Sequence, residues 1–336
     1  MTHWAKPMRE WRGVDAQRFH EEIAPLGAPA VLRGLVSDWP AVRAASSPAD
    51  ACAYIERYDA KREQQVLVGP ASIGGRFFYR DDMSGLNFER RTTTIAAALQ
   101  QMLGALADDA PGALYIESTP IAERLPGFEL ENTITLAPGS ARPRIWIGNA
   151  ITVQTHFDLN ENIACVVAGR RRFTLFPPDQ IGNLYVGPLD FTLSGPPVSM
   201  VDVAAPDLAR FPRFAAAQAA AQAAELAPGD AIYIPYGWWH NVQSLERFNI
   251  LVNYWWNETR PAHGAPFDAL LHAVMTIRDM PEDQRLVWRN LFDQFAFRRN
   301  GEPLAHLAPE HRGMMGEMTP ERARAVRAIL LKALAG

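Results

Sequence analysis

Between Ala113 and Asn257 the chain reads as a series of short apolar runs: "GALYIES", "PRIWIGN", "AITVQTHFD", "ENIACVVAG", "RRRFTLFPP", "DAIYIPYG", "WWHNVQS" and "FNILVNYWW". Gly, Pro, Asn or Asp breaks each one, and β-branched and aromatic residues fill them, so each reads as a strand. Many short strands joined by turns exclude repeated strand–helix–strand units and leave a sandwich or barrel. One insertion interrupts the series, roughly Pro177 to Leu226, and its segment "FAAAQAAAQAAEL" is helical by propensity. Insertions of that size between barrel strands are usually surface excursions and sometimes lids.

The flanks have a different texture. On the N-terminal side, "DAQRFHEEIAPLG" predicts a helix closed by Gly27, and "PAVLRGLV" a buried strand. "QQVLVG" and "RFFYRD" predict two more strands around a turn at Gly74–Gly75, and "TTTIAAALQQML" a helix. After Pro261 the pattern becomes helical. Trp288, Leu291, Phe292 and Phe295 recur at i, i+3, i+4 and i+7. Thr319 and Pro320 supply the N-cap and first turn of a last helix, with Val326, Ile329, Leu330 and Leu334 on its apolar face. The expected class is mostly β with helical additions: residues 1–260 form a β domain with N-terminal α/β elements, and residues 261–336 form a helical region. Its stripes must cover the barrel or a second subunit.

Composition narrows the partners. The 336 residues are 48% hydrophobic and 21% charged, with net charge −4 and pI near 6.1, so no global basic field argues for DNA or an anionic membrane. Two cysteines, Cys52 and Cys165, make no disulfide framework. The opening "MTHWAKPMREWRG" lacks the apolar core of a signal peptide, and no run approaches about 18 apolar residues. A cytoplasmic protein without membrane contact is the expectation.

The chemistry concentrates in "TVQTHFDLNEN". On a strand, residues i and i+2 share a face, so His156 and Asp158 converge. His240, in "PGDAIYIPYGWWHNV", lies after another strand and can complete a set of two histidines and one carboxylate. That facial triad leaves adjacent coordination positions open and suits Fe(II). Taken singly, His240 reads as a packed core residue beside two tryptophans, and Asp158 as a turn residue. The other histidines, His3, His20, His263, His272, His306 and His311, read as surface or helix residues.

Four stretches in order, "HFDLNEN", "GRRRFTLFPPDQIGNLY", "PGDAIYIPYGWWHNVQSL" and "LVNYWW", resemble the cupin-like JmjC-domain oxygenases, which depend on Fe(II) and 2-oxoglutarate. The resemblance runs from about Ala30 to Asn257 and is strongest to the asparaginyl hydroxylases of that family. It implies a double-stranded β-helix (jelly roll) and iron ligands at His156, Asp158 and His240. It further implies that Tyr115 binds the distal carboxylate of 2-oxoglutarate and that Asn162 and Asn253 line its pocket. Arg171 falls where those hydroxylases pair a lysine with that carboxylate, and arginine can meet it bidentately. Strand alternation puts Arg171 with Phe173 and Leu175, and Arg170 and Arg172 on the opposite face.

Departures are equally specific. Val153 stands where the family's threonine contacts the cosubstrate, so that contact is lost or moves to Thr152. Glu117 replaces a substrate-side glutamine, and it is either a substrate anchor or an exposed strand residue. Near Pro197 and Val198 a substrate-contacting Arg-Gln pair is missing, so the same peptide substrate is not implied. The resemblance implies O2 as second substrate and hydroxylation of a protein or peptide side chain. The alternatives are RNA, a small molecule, or a cupin that binds metal without oxidation. By the same resemblance, and from the apolar stripes, a homodimer through the C-terminal helices is expected.

Overall fold

Strand alternation sorts the residues of the larger part of the chain into layers. The computed structural model describes residues 4–257 and 264–335, and the chain divides into two units, Met1–Asn257 and Glu258–Gly336. The boundary expected at 260/261 lies outside the described residues.

The first unit contains β1 (Lys6–Pro7), β2 (Arg9–Arg12), β3 (Ala30–Arg33), β4 (Gln64–Gly69), β5 (Glu89–Thr93), β6 (Ala113–Pro120) and β7 (Arg142–Gly148). It continues with β8 (Thr152–Phe157), β9 (Glu161–Ala168), β10 (Arg171–Phe176), β11 (Gln222–Leu226), β12 (Ala231–Ile234), β13 (Trp239–Ser244) and β14 (Asn249–Trp256). One sheet runs β1-β11-β10-β13-β8, the other β2-β3-β12-β9-β14-β7-β6-β4-β5. From β7 onward the chain shuttles between them: β7, β9, β12 and β14 belong to the larger sheet, β8, β10, β11 and β13 to the smaller. Pairings within this set are antiparallel. This is a double-stranded β-helix.

Over the central strands, period-2 side chains bury apolar residues on both faces of each sheet. On β9, Ile163, Cys165 and Val167 point outward and pack with Phe19, Ile23, Ile55 and Leu99 from the N-terminal helical segments. Ala164 and Val166, one position off, point between the sheets and meet Phe173, Leu175, Ile232, Ile234 and Val242. A third layer, Phe176, Leu184, Phe214 and Trp239, packs the insertion onto the smaller sheet. Each fully buried large side chain stabilises by about 1.5–3 kcal/mol. The strands that carry the site are therefore fixed on both faces.

Two segments depart from their sequence patterns. "RFFYRD" makes only the isolated bridges Arg76–Thr152 and Tyr79–Leu86, not a sheet strand. Its apolar run serves packing instead, with Phe77 and Tyr79 buried beside Phe88 and Tyr115. "FAAAQAAAQAAEL" is helical only over Phe214–Ala220, and Gln222–Leu226 becomes β11 against β10. Ladder hydrogen bonds to β10 override alanine's helix preference there.

The second unit contains helices at Pro266–Ile277, Glu282–Phe295 and Pro320–Leu334. Thr319 caps the last one, its Oγ1 accepting from the backbone N–H of Arg322 at 3.3 Å. Among the described residues of this unit only Pro303 and Ala323 are buried. Trp288, Leu291, Phe295, Ile329, Leu330 and Leu334 are all exposed. Among the described residues no helix is long and apolar enough to cross a membrane.

Candidate active site

His156 and His240 sit directly opposite each other in the antiparallel β8–β13 register. Asp158 follows one residue beyond the end of β8. Candidate ligand atoms of the three residues all lie within 4.8 Å of one another. The imidazole centroids are 4.2 Å apart, and His240 Nε2 is 3.6 Å from Asp158 Oδ2. The turn leading into β13 helps hold this arrangement. Gly237, at φ +76°, takes a left-handed conformation that favours glycine, and its N–H donates to the Asp158 carbonyl at 3.0 Å.

Backbone carbonyls orient both rings. His156 Nδ1 lies 2.8 Å from the Gln154 carbonyl, and His240 Nδ1 lies 3.1 Å from that of Trp238. Each Nδ1 can only donate there, which leaves the Nε2 lone pairs directed at the cluster. Burial and the neighbouring His156 push His240 down to about 4, so it is neutral near pH 7. Asp158 Oδ2 is buried and has no hydrogen-bond partner. Two oriented imidazoles and an orphaned carboxylate oxygen are a donor set that a divalent transition metal completes.

A β-bulge shapes the next part of the wall. Val153 pairs with Val242 and His156 with His240, so Gln154 and Thr155 together face the single residue Asn241. Asn241 stabilises the irregularity by donating Nδ2 to the Val153 carbonyl at 3.0 Å. The freed Thr155 carbonyl accepts from the N–H of Ser199, in the insertion, at 2.8 Å. As a result Val153 lines the inner cavity together with His156, whereas Thr152 lines only the outer one.

Across the inner cavity, β9, β10 and β14 contribute Asn162, Arg171 and Asn253, with Ala164, Phe173 and Leu251 beside them. Arg171 is 1% exposed, and its Nε and Nη2 are buried without a partner. Burial pushes its pKa down, while the Tyr115 hydroxyl facing it opposes that shift. Burial likewise pushes the Tyr115 phenol up. Arg170 and Arg172 point the other way, to Glu246 at 2.8 Å and to Glu225 at 2.5 Å. Asn253 Oδ1 accepts from Trp146 Nε1 at 2.8 Å, and its Nδ2 donates to Asn162 Oδ1 at 3.4 Å. An unpaired buried cation is costly. With Tyr115 beside it, this one fits an anionic ligand that reaches from the triad to the far wall.

The inner cavity opens into an outer one of about 460 Å³. Tyr115, Trp146, Val153, His156, Asp158 and Trp255 line both. Phe77 and Phe88 add aromatic wall, and Leu193, Ser194, Pro196 and Val198 of the insertion close one side. The insertion is held there by Tyr79, which donates to the Phe191 carbonyl at 2.6 Å, and by Arg90, which donates to that of Leu193 at 2.7 Å. Glu117 also lines this cavity and accepts from the Ser194 hydroxyl at 2.8 Å. Burial raises its carboxyl pKa, with Ser194 and Arg90 opposing.

Sequence reasoning did not single out Gln154, Trp146, Trp255 or the wall formed by the insertion. Of the remaining histidines, His20, His272, His306 and His311 are exposed, and His3 and His263 lie outside the described residues.

Comparison with known proteins places this geometry in context. A match to the cupin-like domain family covers residues 16–261. The chain is 25% identical over 272 residues to lysine-specific demethylase JMJ31 of Arabidopsis thaliana, covering 72% of this chain and 48% of that protein. It is 26% identical over 267 residues to HSPB1-associated protein 1 of Homo sapiens, covering 71% and 50%. To tRNA wybutosine-synthesizing protein 5 of Mus musculus it is 31% identical over 322 residues, covering 85% and 93%. It therefore spans about half the length of the first two and nearly all of the third.

Proposed function

The chain belongs to the cupin-like domain family, of JmjC type, and on that premise we propose that it is an Fe(II)- and 2-oxoglutarate-dependent oxygenase that hydroxylates a protein side chain. One observation carries the reading. A cavity with His156, Asp158 and His240 at one end has a buried guanidinium, Arg171, with two unpartnered nitrogens at the other.

His156, Asp158 and His240 would hold the metal. When bound, Fe(II) supplies the redox chemistry that couples O2 and the oxidative decarboxylation of 2-oxoglutarate to C–H hydroxylation. The chain's own residues orient and shield. The Gln154 and Trp238 carbonyls fix the Nδ1–H tautomers, which leaves both Nε2 lone pairs free and would let them hold the metal. Asp158 brings a negative charge that offsets part of the metal's. Arg171 and Tyr115 grip the distal carboxylate of 2-oxoglutarate, and the Asn162–Asn253 pair supplies polar lining. Val153 leaves that stretch of wall apolar. Trp146, Trp255 and the insertion keep bulk water from the reacting carbon.

The outer cavity, about 460 Å³, has room for a single side chain, which is compatible with the protein-substrate reading. Likeness to tRNA wybutosine-synthesizing protein 5 over 93% of that protein's length favours a second reading, an RNA substrate. The test for the reaction is succinate release from 2-oxoglutarate by protein reconstituted with Fe(II) in air. Release that needs both O2 and Fe(II) is expected, and none, coupled or uncoupled, would remove the oxygenase reading.

The second unit is the proposed dimer contact with a second copy of this chain. Support comes from its three amphipathic helices and their exposed apolar stripes. Apolar area of that extent is ordinarily covered by a partner.

A further inference from the structure

A further cavity, of about 630 Å³, lies between the 76–87 segment and the insertion. It shares no lining residue with the two cavities beside the triad. Three guanidiniums, those of Arg76, Arg80 and Arg210, line it together with the carboxylates of Asp81, Asp202 and Asp207.

Hydrogen bonding is unevenly spent among these six groups. A guanidinium carries several N–H donors and no acceptor. Among the described residues, the only one of these side-chain donors with an acceptor is Arg80 Nε, which donates to the Leu86 carbonyl at 3.1 Å. Arg76 Nε is buried without a hydrogen-bond partner, and Asp202 Oδ2 stands off at 3.9 Å, beyond hydrogen-bond reach. Aromatic stacking holds two of the cations by their faces, with Arg76 4.0 Å from the Phe78 ring and Arg210 5.0 Å from that of Phe211. Stacking of this kind leaves the N–H edge of a guanidinium open. The carboxylates are more fully used. Asp202 Oδ1 accepts from the N–H of Ala204 at 2.9 Å, and Asp207 Oδ1 from those of Ala209 and Arg210 at 3.0 Å. Asp81 is exposed. The lining therefore has a surplus of charged donors, which the oxygens of an anion can meet bidentately.

The segments that line this cavity also hold the strand that carries His156. β8 is the edge strand of the smaller sheet. Its Thr152 N–H donates to the Gly75 carbonyl at 2.9 Å, next to Arg76. Its Thr155 carbonyl accepts from the Ser199 N–H at 2.8 Å, next to Met200 of the cavity wall. Arg76 and Arg80 belong to the first segment and Arg210 to the insertion, so an anion between them draws the two segments together over β8.

We propose that this cavity is an effector site for an oxyanion group, phosphoryl or carboxylate, which bridges Arg76 and Arg80 to Arg210 and tightens both segments on β8. Titration of the metal-free protein with inorganic phosphate and with acetate, at fixed ionic strength and followed by ligand-observed NMR, tests the binding. Saturable phosphate binding is expected, weakened at least about fivefold by Arg76→Gln and by Arg210→Gln. Arg210 is exposed, so its substitution reports on the site even where Arg76→Gln fails to fold. Arg171→Met, which removes the cation of the inner cavity, is expected to leave phosphate affinity unchanged. Acetate binding that depends on the same arginines assigns a carboxylate ligand, and phosphate binding alone a phosphoryl one. With phosphate bound, amide hydrogen exchange at Thr152 and Ser199 is expected to slow at least about threefold. No saturable binding, binding that survives Arg210→Gln, binding lost in Arg171→Met, or unchanged exchange at Thr152 and Ser199 overturns the proposal. Neither metal nor 2-oxoglutarate enters the test, so its outcome is independent of the oxygenase reading.

Discussion

Arg171→Met separates ligand binding from folding at one residue. In the free protein this guanidinium is 1% exposed and leaves Nε and Nη2 without partners, so it carries a desolvation penalty that only Tyr115 offsets. Replacing buried ionic groups with apolar side chains of similar volume is often neutral or stabilising by about 1–4 kcal/mol. Methionine follows the same path into the cavity, beside Phe173 and Val242. In the absence of metal and 2-oxoglutarate, the variant is therefore expected to be at least as stable as the wild type. A gain of about 1–3 kcal/mol corresponds to several degrees of Tm, at roughly 2–4 °C per kcal/mol. Affinity for 2-oxoglutarate moves the other way. Truncating one partner of a buried charge pair costs about 2–4 kcal/mol, or roughly 30- to 900-fold in Kd. Urea and thermal melts of the metal-free protein give the first number, and anaerobic calorimetry with Mn(II) gives the second. A variant destabilised by more than about 2 kcal/mol, with 2-oxoglutarate Kd unchanged, would refute the assignment and make Arg171 a structural cation.

Other perturbations probe the rest of the site. Asp158→Ala is expected to abolish turnover and leave the melting temperature of the metal-free protein unchanged or raised, because the Oδ2 it removes has no partner; a large loss of stability would contradict this. Asn241→Ala removes the amide that closes the β8 bulge, with an expected loss of about 1–2 kcal/mol and weaker Mn(II) binding, since His156 and His240 lie across that register; unaltered metal affinity would argue against the bulge as a positioning device. Sedimentation of the full chain is expected to give a dimer, and Leu291→Glu with Phe295→Glu a monomer; a monomeric wild type would remove the second unit's proposed role.

Legibility from sequence tracked how local the signal was. The runs that became β6 to β10 and β12 to β14 were readable because alternation and turn residues are local. Arg171 was separable from Arg170 and Arg172 by the same parity. Where parity breaks, alternation alone gave no sign: the two-for-one pairing opposite Asn241 sets Val153 in the inner wall and Thr152 outside it. Gln222–Leu226 looked helical because propensity does not contain β10, its partner. The insertion's contribution to the cavity depends on contacts from Tyr79, Arg90 and Glu117, each more than seventy positions distant in the chain. Such pairings leave no periodic trace.

One cavity is proposed to bind a metal at His156, Asp158 and His240 and a dicarboxylate reaching Arg171. A crystal structure grown with Mn(II) and 2-oxoglutarate tests it most directly. The expected result is a metal bonded to both Nε2 atoms and to the Asp158 carboxylate, with the distal carboxylate of 2-oxoglutarate on Arg171 and Tyr115. A metal held elsewhere, or 2-oxoglutarate bound with Arg171 still unpartnered, would contradict it.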